Sequence, residues 1–276
     1  MTTLRQETEI AYGIALRAAE LVRGYHGKKM AVDRKSENEP VTEADRLASA
    51  LIVSALCDAF PDDSVLSEEL PDDGSRLGQR RVWMVDPIDG TKDFIRGDLG
   101  YAVMIGLCID GRPRIGIVAQ PPTRITYAGF IDDNERVAWQ QEADQPRVPL
   151  VPSKISETGQ IRLAASKSHR GPEIDAVRAA LGIKDELNIG GVGMKMSLVA
   201  NGTCDLYVYP GDKTKLWDSC APEAILTAAG GRVSDLAGNL LRYDEPELFN
   251  KRGIIASNGP LHPRVVEALA AAGVRA

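Results

Sequence analysis

Two aspartates that follow an apolar stretch are the residues whose types and spacing best suit chemistry. They are Asp86 and Asp89 in the segment WMVDPIDGT. Pro87 fixes its own φ and lacks an N–H, while Gly90 permits a sharp turn. Two carboxylates held at one rigid corner repel each other unless a cation lies between them, and hard oxygen ligands favour Mg²⁺. The spacing therefore predicts a Mg²⁺ site at this corner.

A phosphate site is predicted directly after the second aspartate. If a helix begins near Thr91, the backbone amides of Gly90 and Thr91 point out of its positive end, where anions bind. The Thr91 hydroxyl would then be placed to orient a water molecule. The alternative for this segment is a Pro-Asp turn whose aspartates only cap the following helix, because Asp is common in turns and caps.

Three other acidic positions adjoin apolar segments, and each has an ordinary structural explanation when taken alone. Glu68 belongs to a Glu68-Glu69 pair after a short apolar strand, and such pairs usually lie at the surface. Asp45 stands three residues after Thr42, as in a capping box. Asp218 stands at a predicted helix start, the place of an N-cap. None of the three predicts a site by itself.

Taken together and in order, these segments resemble the motifs of the inositol monophosphatase superfamily of Mg²⁺-dependent, lithium-inhibited phosphatases. The matching segments are Thr42–Asp45 (TEAD), Ser67–Glu69 (SEE), Asp86–Thr91 (DPIDGT) and Trp217–Gly231 (WDSCAPEAILTAAGG). The resemblance runs from about residue 5 to Asn258. It implies a layered αβαβα sandwich with the site between two halves, and removal of phosphate by a metal-activated water.

The resemblance also implies roles for individual residues. It assigns the ligands of two or three Mg²⁺ ions to Glu68, Asp86, Asp89, Asp218 and the main-chain carbonyl of Ile88. Thr91, with Glu68 or Asp45 as its acidic partner, would orient the attacking water. The amides at Gly90 and Thr91 would hold the phosphate, and Asp218 would also face the substrate. Such two-metal phosphoryl transfer needs no covalent phosphoenzyme.

Further segments resemble the branch of the superfamily that removes the 3′-phosphate from adenosine 3′,5′-bisphosphate. They are Lys92-Asp93, which stand where inositol monophosphatases usually carry Thr-Asn, Ser166–His169 (SKSH) and Gly190–Lys195 (GGVGMK). The position seven residues before Asp218, where the inositol enzymes place a glutamate, is Gly211 here. The resemblance implies that a small phosphorylated nucleotide is bound by Ser166, His169, Gly191 and Lys195.

Several alternatives stay open. One is an inositol or sugar monophosphate phosphatase of the same superfamily, although Gly211 and the SKSH segment argue against it. Another is a non-catalytic Mg²⁺- or nucleotide-binding module, which a missing ligand or a missing Thr91 would favour, and neither is missing. A phosphotransferase has less support because nothing resembles an ATP site. The extended loop before Asp218 leaves undecided whether Lys213 or Lys215 approaches the substrate.

The element pattern predicts α+β followed by α/β. The predicted elements of the first half are helices at 5–24 and from Thr42, and strands at 65–66, 81–85, 101–109, 113–120, 125–130 and 135–139. Those of the second half are strands at 161–165, 187–190, 204–209, 231–235 and 253–257, with helices at 171–181, 193–201, 218–229 and 262–272. A polar stretch at 142–153 separates the halves. We therefore predict a metal-binding half with an antiparallel sheet at 1–145, and a half with the nucleotide-specificity residues at 146–276.

Composition and charge are those of an ordinary globular chain and exclude several classes. Of 276 residues, 43% are hydrophobic and 26% charged, and the net charge is −6, so neither a nucleic-acid polymer nor a membrane is a predicted partner. The longest clean apolar run, Ala102–Ile109, has eight residues, against the roughly 18 that span a bilayer. The four cysteines lack metal-ligand spacing and predict buried thiols in a reducing, cytoplasmic location. The oligomeric state is not predicted.

Overall fold

The structure is a computed structural model that describes residues 2–28, 31–34, 40–166 and 172–274. Its helices are α1 (Leu4–Arg23), α2 (Glu43–Ala59), α3 (Thr91–Arg96), α4 (Pro172–Leu181), α5 (Val192–Ala200), α6 (Leu216–Ala228) and α7 (His262–Ala271), with a 3-10 helix at Thr158–Gln160. Its strands are β1 (Val32–Arg34), β2 (Pro40–Thr42), β3 (Ser64–Ser67), β4 (Arg81–Asp89), β5 (Ala102–Ile109), β6 (Arg112–Gln120), β7 (Ile125–Ile131), β8 (Arg136–Glu142), β9 (Val148–Pro149), β10 (Arg162–Ala165), β11 (Asp185–Asn188), β12 (Leu206–Tyr209), β13 (Arg232–Ser234) and β14 (Ile254–Ser257).

Seven strands form the first sheet, in the order β3-β4-β5-β6-β7-β8-β9. β3 and β4 are parallel, and the later neighbours are antiparallel. Every residue of β5 is buried because helices cover both faces of this sheet. A strand covered on both faces carries a continuous apolar run instead of an alternating one. β1 and β2 pair separately as a short antiparallel hairpin.

Helices α1 and α2 pack on one face of the first sheet. α1 begins at Thr3, whose N–H donates to Gln6 Oε1 (3.0 Å) while the Gln6 N–H donates to Thr3 Oγ1 (3.3 Å). This reciprocal pair satisfies N–H groups that a helix start otherwise leaves unpaired. Side chains spaced by one helical turn, such as Ala11, Ala15 and Ala18, are fully buried against this sheet face.

Helices α5 and α6 cover the opposite face and lie between the two sheets. Their buried side chains, among them Met194 and Cys220, share one core cluster with Met104 of β5 and Tyr207 of β12. This middle layer joins elements from both predicted halves. The division at about residue 145 itself stays a prediction.

Five strands form the second sheet, in the order β11-β10-β12-β14-β13. β10 is parallel to β11 and β12, and β14 is antiparallel to β12 and β13. α4 and α7 supply Val177 and Leu269 to the core cluster on its outer face, beside Leu163 and Leu206. The layers are therefore helices, sheet, helices, sheet, helices, which confirms the predicted αβαβα sandwich.

Two local predictions need correction. β4 does not stop at Val85: it pairs with β5 at Asp86 and again at Asp89, with a shift of register between them. Pro87 has no N–H to donate, so the hydrogen-bond ladder is interrupted there and then resumes. Cys57 is exposed, so the prediction of buried thiols is correct for the other three cysteines only.

Candidate active site

The corner between β4 and α3 presents the two predicted aspartates. Asp86 Oδ1 accepts a hydrogen bond from the Ile88 N–H (3.0 Å), and the Thr91 hydroxyl donates to the Ile88 carbonyl (3.0 Å). Gly90 is the N-cap of α3 with φ of 88°, a left-handed conformation that favours glycine. Because the first N–H groups of a helix lack intrahelical partners, this helix start also offers donors.

Asp89 connects the first sheet to the middle layer. Its Oδ1 accepts from the Val192 N–H (3.0 Å) and its Oδ2 from the Gly193 N–H (2.7 Å), both in the first turn of α5. A Cβ at Gly191 would lie only 2.5 Å from Asp89 Oδ2, and the residue has φ of 52°. The glycine-rich segment before α5 is therefore needed for the approach of this carboxylate.

Four of the predicted metal ligands are brought together. Asp86 and Asp89 lie on β4, Glu68 directly follows β3, and Asp218 lies in the first turn of α6. Burial, and then the charges of Glu68, Asp89 and Asp218, raise the pKa of Asp86 well above its ordinary value. Burial, and then Asp89 and Glu68, raise the pKa of Asp218 in the same way. The cluster therefore carries negative charge that the protein does not fully compensate.

Lys195 supplies part of the missing positive charge. It is buried on α5, and its Nζ lies 5.1 Å from the centroid of the Tyr207 ring. Burial lowers the pKa of Lys195, against the opposing charges of Asp89, Asp93 and Asp218. Burial raises the pKa of Asp89 to about 6, while Lys195 and the two α5 N–H groups lower it. Lys195 is thus an internal counter-charge for the aspartates.

Asp45 lies at the start of α2 as a capping residue. Its Oδ2 accepts from the Thr42 N–H (2.7 Å) and from the Thr42 hydroxyl (2.6 Å). Burial raises the pKa of Asp45 to about 6 against the hydrogen bonds from Thr42, which lower it, and the charges of Glu69 and Glu68 contribute to the rise. Glu69 therefore belongs to the same acidic neighbourhood, although the sequence assigned it no role. Its position next to Glu68 in the SEE segment could have indicated that it lies near the site.

The donor set fits a hard divalent cation. Carboxylates and a main-chain carbonyl are the oxygen ligands that Mg²⁺ takes in proteins. Within the four described ranges, no three His, Cys, Asp or Glu side chains already stand in a metal-binding arrangement. Three carboxylates are instead engaged by backbone N–H groups, Asp86 and Asp89 as above and Asp218, whose Oδ2 accepts from the Lys215 N–H (2.8 Å). Oxygen type, burial and uncompensated charge support the fit, and a cation would draw the carboxylates closer together.

The structure places only some of the predicted substrate residues beside the carboxylates. Gly191 is the N-cap of α5, next to Asp89. Ser166 is half-buried at the end of β10, and His169 lies outside the described residues. Of the two undecided lysines, Lys215 has its Nζ 5.4 Å from the Trp217 ring centroid, and its charge lowers the pKa of Asp218.

Comparison with known proteins defines the class to which this sandwich and its carboxylates belong. The model of the inositol monophosphatase family matches residues 3–273, and the chain belongs to that family. The structure of the Thermotoga maritima IMPase has a TM-score of 0.79 at 21% identity, covering 98% of each chain, and shows the fold alone.

Several relatives carry more specific names. The Escherichia coli (strain K12) protein named 3′(2′),5′-bisphosphate nucleotidase CysQ is 34% identical over 239 residues, 86% of this chain and 93% of the relative. A rat protein named 3′(2′),5′-bisphosphate nucleotidase 1 is 29% identical over 279 residues, 90% of this chain and 89% of the relative. The structure of CysQ from Bacteroides thetaiotaomicron has a TM-score of 0.75 at 29% identity, with 92% and 97% coverage.

These findings confirm the predicted superfamily, its fold and its class as a phosphatase. The roles of individual site residues stay predictions. No helix in the described part of the chain is both long enough and apolar enough to cross a membrane. The predicted cytoplasmic location stays a prediction.

Proposed function

We propose that this protein is a Mg²⁺-dependent phosphomonoesterase that removes the 3′-phosphate from adenosine 3′,5′-bisphosphate, giving AMP and phosphate. The observation that carries the proposal is the convergence of Glu68, Asp86, Asp89 and Asp218 beside the start of α3. The names of the relatives at 29–34% identity support the nucleotide as substrate. The resemblance to the superfamily further implies that lithium inhibits this activity.

The proposed ligands of two or three Mg²⁺ ions are these four carboxylates and the Ile88 carbonyl. Bound Mg²⁺ would lower the pKa of the attacking water and stabilise the leaving oxygen. The Ile88 carbonyl accepts a hydrogen bond from the Thr91 hydroxyl. A carbonyl oxygen has a second lone pair that can bind a cation. Thr91 is thereby held beside the proposed cation site, where its oxygen can accept a hydrogen bond from the attacking water.

Asp45 or Glu68 is the proposed acidic partner of Thr91. Burial raises the pKa of Asp45 to about 6, close to the pH at which a carboxylate is an effective proton acceptor. Its Oδ2 is oriented by Thr42, so the direction of the carboxyl is set by the helix start. Asp45 is thus suited to position the water rather than to bind the cation.

The amides of Gly90 and Thr91 are proposed to hold the scissile phosphate, and Ser166, His169, Gly191, Lys195 and Asp218 to face the rest of the nucleotide. Gly211 favours this substrate over an inositol phosphate. A Cβ at Gly211 would lie 2.7 Å from the Tyr209 ring, so a glutamate there requires the ring to move. The glutamate that the inositol enzymes carry is therefore absent at position 211, and the Tyr209 ring leaves little room for a side chain there.

The test is phosphate release by the purified full chain with Mg²⁺, from adenosine 3′,5′-bisphosphate and from inositol 1-phosphate in parallel. We expect AMP and phosphate from the nucleotide, faster than phosphate from the inositol ester, with inhibition by millimolar Li⁺ and by Ca²⁺. Ca²⁺ prefers longer bonds and more ligands than Mg²⁺ and would disturb the geometry. Faster release from inositol 1-phosphate would overturn the nucleotide assignment and leave the phosphatase assignment.

A further inference from the structure

The segment 241–250 runs between the two elements that carry Glu68 and Asp218. These elements come from different parts of the fold, since Glu68 follows β3 in the first sheet and Asp218 lies on α6 in the middle layer. Both groups are carboxylates of the proposed cation site, and like charges placed in one site repel each other. Something in the protein has to resist this repulsion for both to remain in one site.

One end of the 241–250 segment holds the start of α6. The Leu216 N–H donates to the Leu248 carbonyl (2.9 Å), and the Asn250 N–H donates to the Thr214 carbonyl (2.8 Å). The Asn250 side chain donates to the Lys215 carbonyl (3.1 Å) and to Ser219 Oγ (3.2 Å). These contacts surround Asp218 on both sides in sequence.

Tyr243 adds a buried contact to the same helix. Its hydroxyl donates to Glu223 Oε2 (2.7 Å) and lies 3.0 Å from Ser219 Oγ, the neighbour of Asp218. Arg112 anchors the arrangement from β6, since it donates to Glu223 Oε1 (3.1 Å) and to the Leu241 carbonyl (2.8 Å). Tyr243 and Glu223 are both almost fully buried.

The middle of the 241–250 segment holds the loop that begins with Glu68. Arg76 of that loop is 4% exposed. Its Nη1 donates to the Glu245 carbonyl (2.9 Å), its Nη2 to the Pro246 carbonyl (3.2 Å) and its Nε to Asp72 Oδ2 (3.0 Å). One guanidinium therefore fixes the loop both to itself and to the 241–250 segment.

We propose that the 241–250 segment sets the separation of Glu68 and Asp218, with Arg76 and Tyr243 as positioning residues for the cation site. The inference rests on the cation site of the proposed function but not on its substrate. Groups that orient metal ligands without touching the metal affect metal affinity by about 10- to 100-fold. Arg76 and Tyr243 act through the backbone and through Ser219, so we expect the lower end of this range.

The experiment measures Mg²⁺ binding by the full chain without substrate, by calorimetry and by the rise in melting temperature with Mg²⁺ concentration. We expect Arg76→Gln and Tyr243→Phe to raise the Kd for Mg²⁺ about 10-fold. Activity should return toward the wild-type kcat at saturating Mg²⁺. If Arg76→Gln does not fold, Arg76→Lys takes its place, because an ammonium keeps the charge but cannot donate in the same forked geometry.

Two matched controls separate positioning from general stability. Arg242→Gln changes an exposed arginine of the same segment, whose partner Asp244 is also exposed. Tyr127→Phe removes a hydroxyl from another tyrosine buried in the same core cluster as Tyr243. Both controls should bind Mg²⁺ like the wild type. A Kd unchanged in Arg76→Gln and Tyr243→Phe, whatever their melting temperature without Mg²⁺, would overturn the proposal. Absence of Mg²⁺ binding by the wild type would instead overturn the cation site of the proposed function.

Discussion

At the scale of single residues, Asp86 and Asp89 differ although the sequence presents them as a pair. Asp89 has both oxygens engaged by N–H groups of α5 and interacts with Lys195. Asp86 accepts one backbone N–H, and its other close partner is the acidic Glu68. The charge of Asp89 is thus partly compensated by the protein, although its pKa is still raised, whereas the charge of Asp86 has less compensation.

We therefore expect opposite effects on metal-free stability. Asp86→Asn should raise the melting temperature, because an amide oxygen still accepts from Ile88 and the buried charge is gone; each kcal/mol corresponds to about 2–4 °C in a chain of this size. Asp89→Asn should lower it, because an amide nitrogen cannot accept one of the two α5 N–H groups. Melts in EDTA measure both.

Both variants should retain less than about a tenth of the wild-type kcat at saturating Mg²⁺, a loss of more than about 1.4 kcal/mol of transition-state stabilisation. Full activity in either would remove that aspartate from the ligand set. A lower melting temperature for metal-free Asp86→Asn would contradict the uncompensated charge.

Lys195 has two possible uses that one substitution distinguishes. In Lys195→Met, kcat/KM for adenosine 3′,5′-bisphosphate should fall about 10- to 100-fold, the range for a charge-assisted contact. A simple monophosphate without the second phosphate should lose much less. An equal loss on both substrates would mean that Lys195 acts only as the counter-charge of Asp89 and Asp218, and the nucleotide assignment would lose that support.

At the scale of elements, sequence patterns predicted the positions of the helices and strands. They did not predict which apolar residues of each helix are buried. Ile10 and Leu47 stand at helical spacing from the buried apolar residues of α1 and α2, yet each is 40% exposed. The two helices share one sheet face, and residues at the edge of an apolar stripe remain uncovered. The motif DPIDGT located the corner, because its constraints are local: proline, glycine and helix start.

The contact between Asp89 and α5 could not be predicted in the same way. It joins residues 104 positions apart, and the sequence shows only the glycines that permit it. The role of Lys195 as a buried counter-charge and that of Arg76 as a link between loops also depend on tertiary packing. The sequence therefore predicted which residues could do the chemistry. The groups that compensate the charges of those residues could be identified only from the three-dimensional structure.

Gly191 provides a test of that contact. In Gly191→Ala, the new Cβ would lie 2.5 Å from Asp89 Oδ2 at a φ of 52°, and strain of this kind costs roughly 1–3 kcal/mol. We expect a lower melting temperature and loss of phosphatase activity. The matched control is Gly13→Ala in α1, where a Cβ meets nothing within 4 Å; it should stabilise the protein by roughly 0.5–1 kcal/mol. Wild-type activity in Gly191→Ala would show that catalysis does not depend on the contact between Asp89 and α5.

At the scale of the whole molecule, the site lies where the layers meet and its assembly has an electrostatic cost. The buried carboxylates of β4 lie beside the half-buried Asp218 of α6 and Glu68 of the loop after β3, and α5 and the 241–250 segment hold this group. A protein that buries such groups without a full complement of positive charge should be less stable at the pH where they ionise.

This argument predicts how Mg²⁺ and pH act together on stability. The folded-state pKa of Asp45 and of Asp89 is raised from 3.8 to about 6. Between these values the folded protein holds protons that the unfolded chain has released, so these groups make metal-free stability fall as pH rises through 6. Mg²⁺ has to displace the proton of its proposed ligand Asp89 in order to bind, and its charge would favour the ionised form of the neighbouring Asp45. The rise in melting temperature on adding Mg²⁺ should therefore be larger at about pH 7.5 than at about pH 5.5.

The difference between melts with and without Mg²⁺ is the quantity to measure, because another buried group acts in the opposite direction. Burial lowers the pKa of His262 from 6.5 to about 4, so its contribution to stability is lost as pH falls below 6.5. His262 is held by Ser257 and Ser234, far along the chain from the carboxylates, and its effect is the same with and without the ion. An equal gain from Mg²⁺ at both pH values would mean that the ion does not bind at the protonated carboxyls.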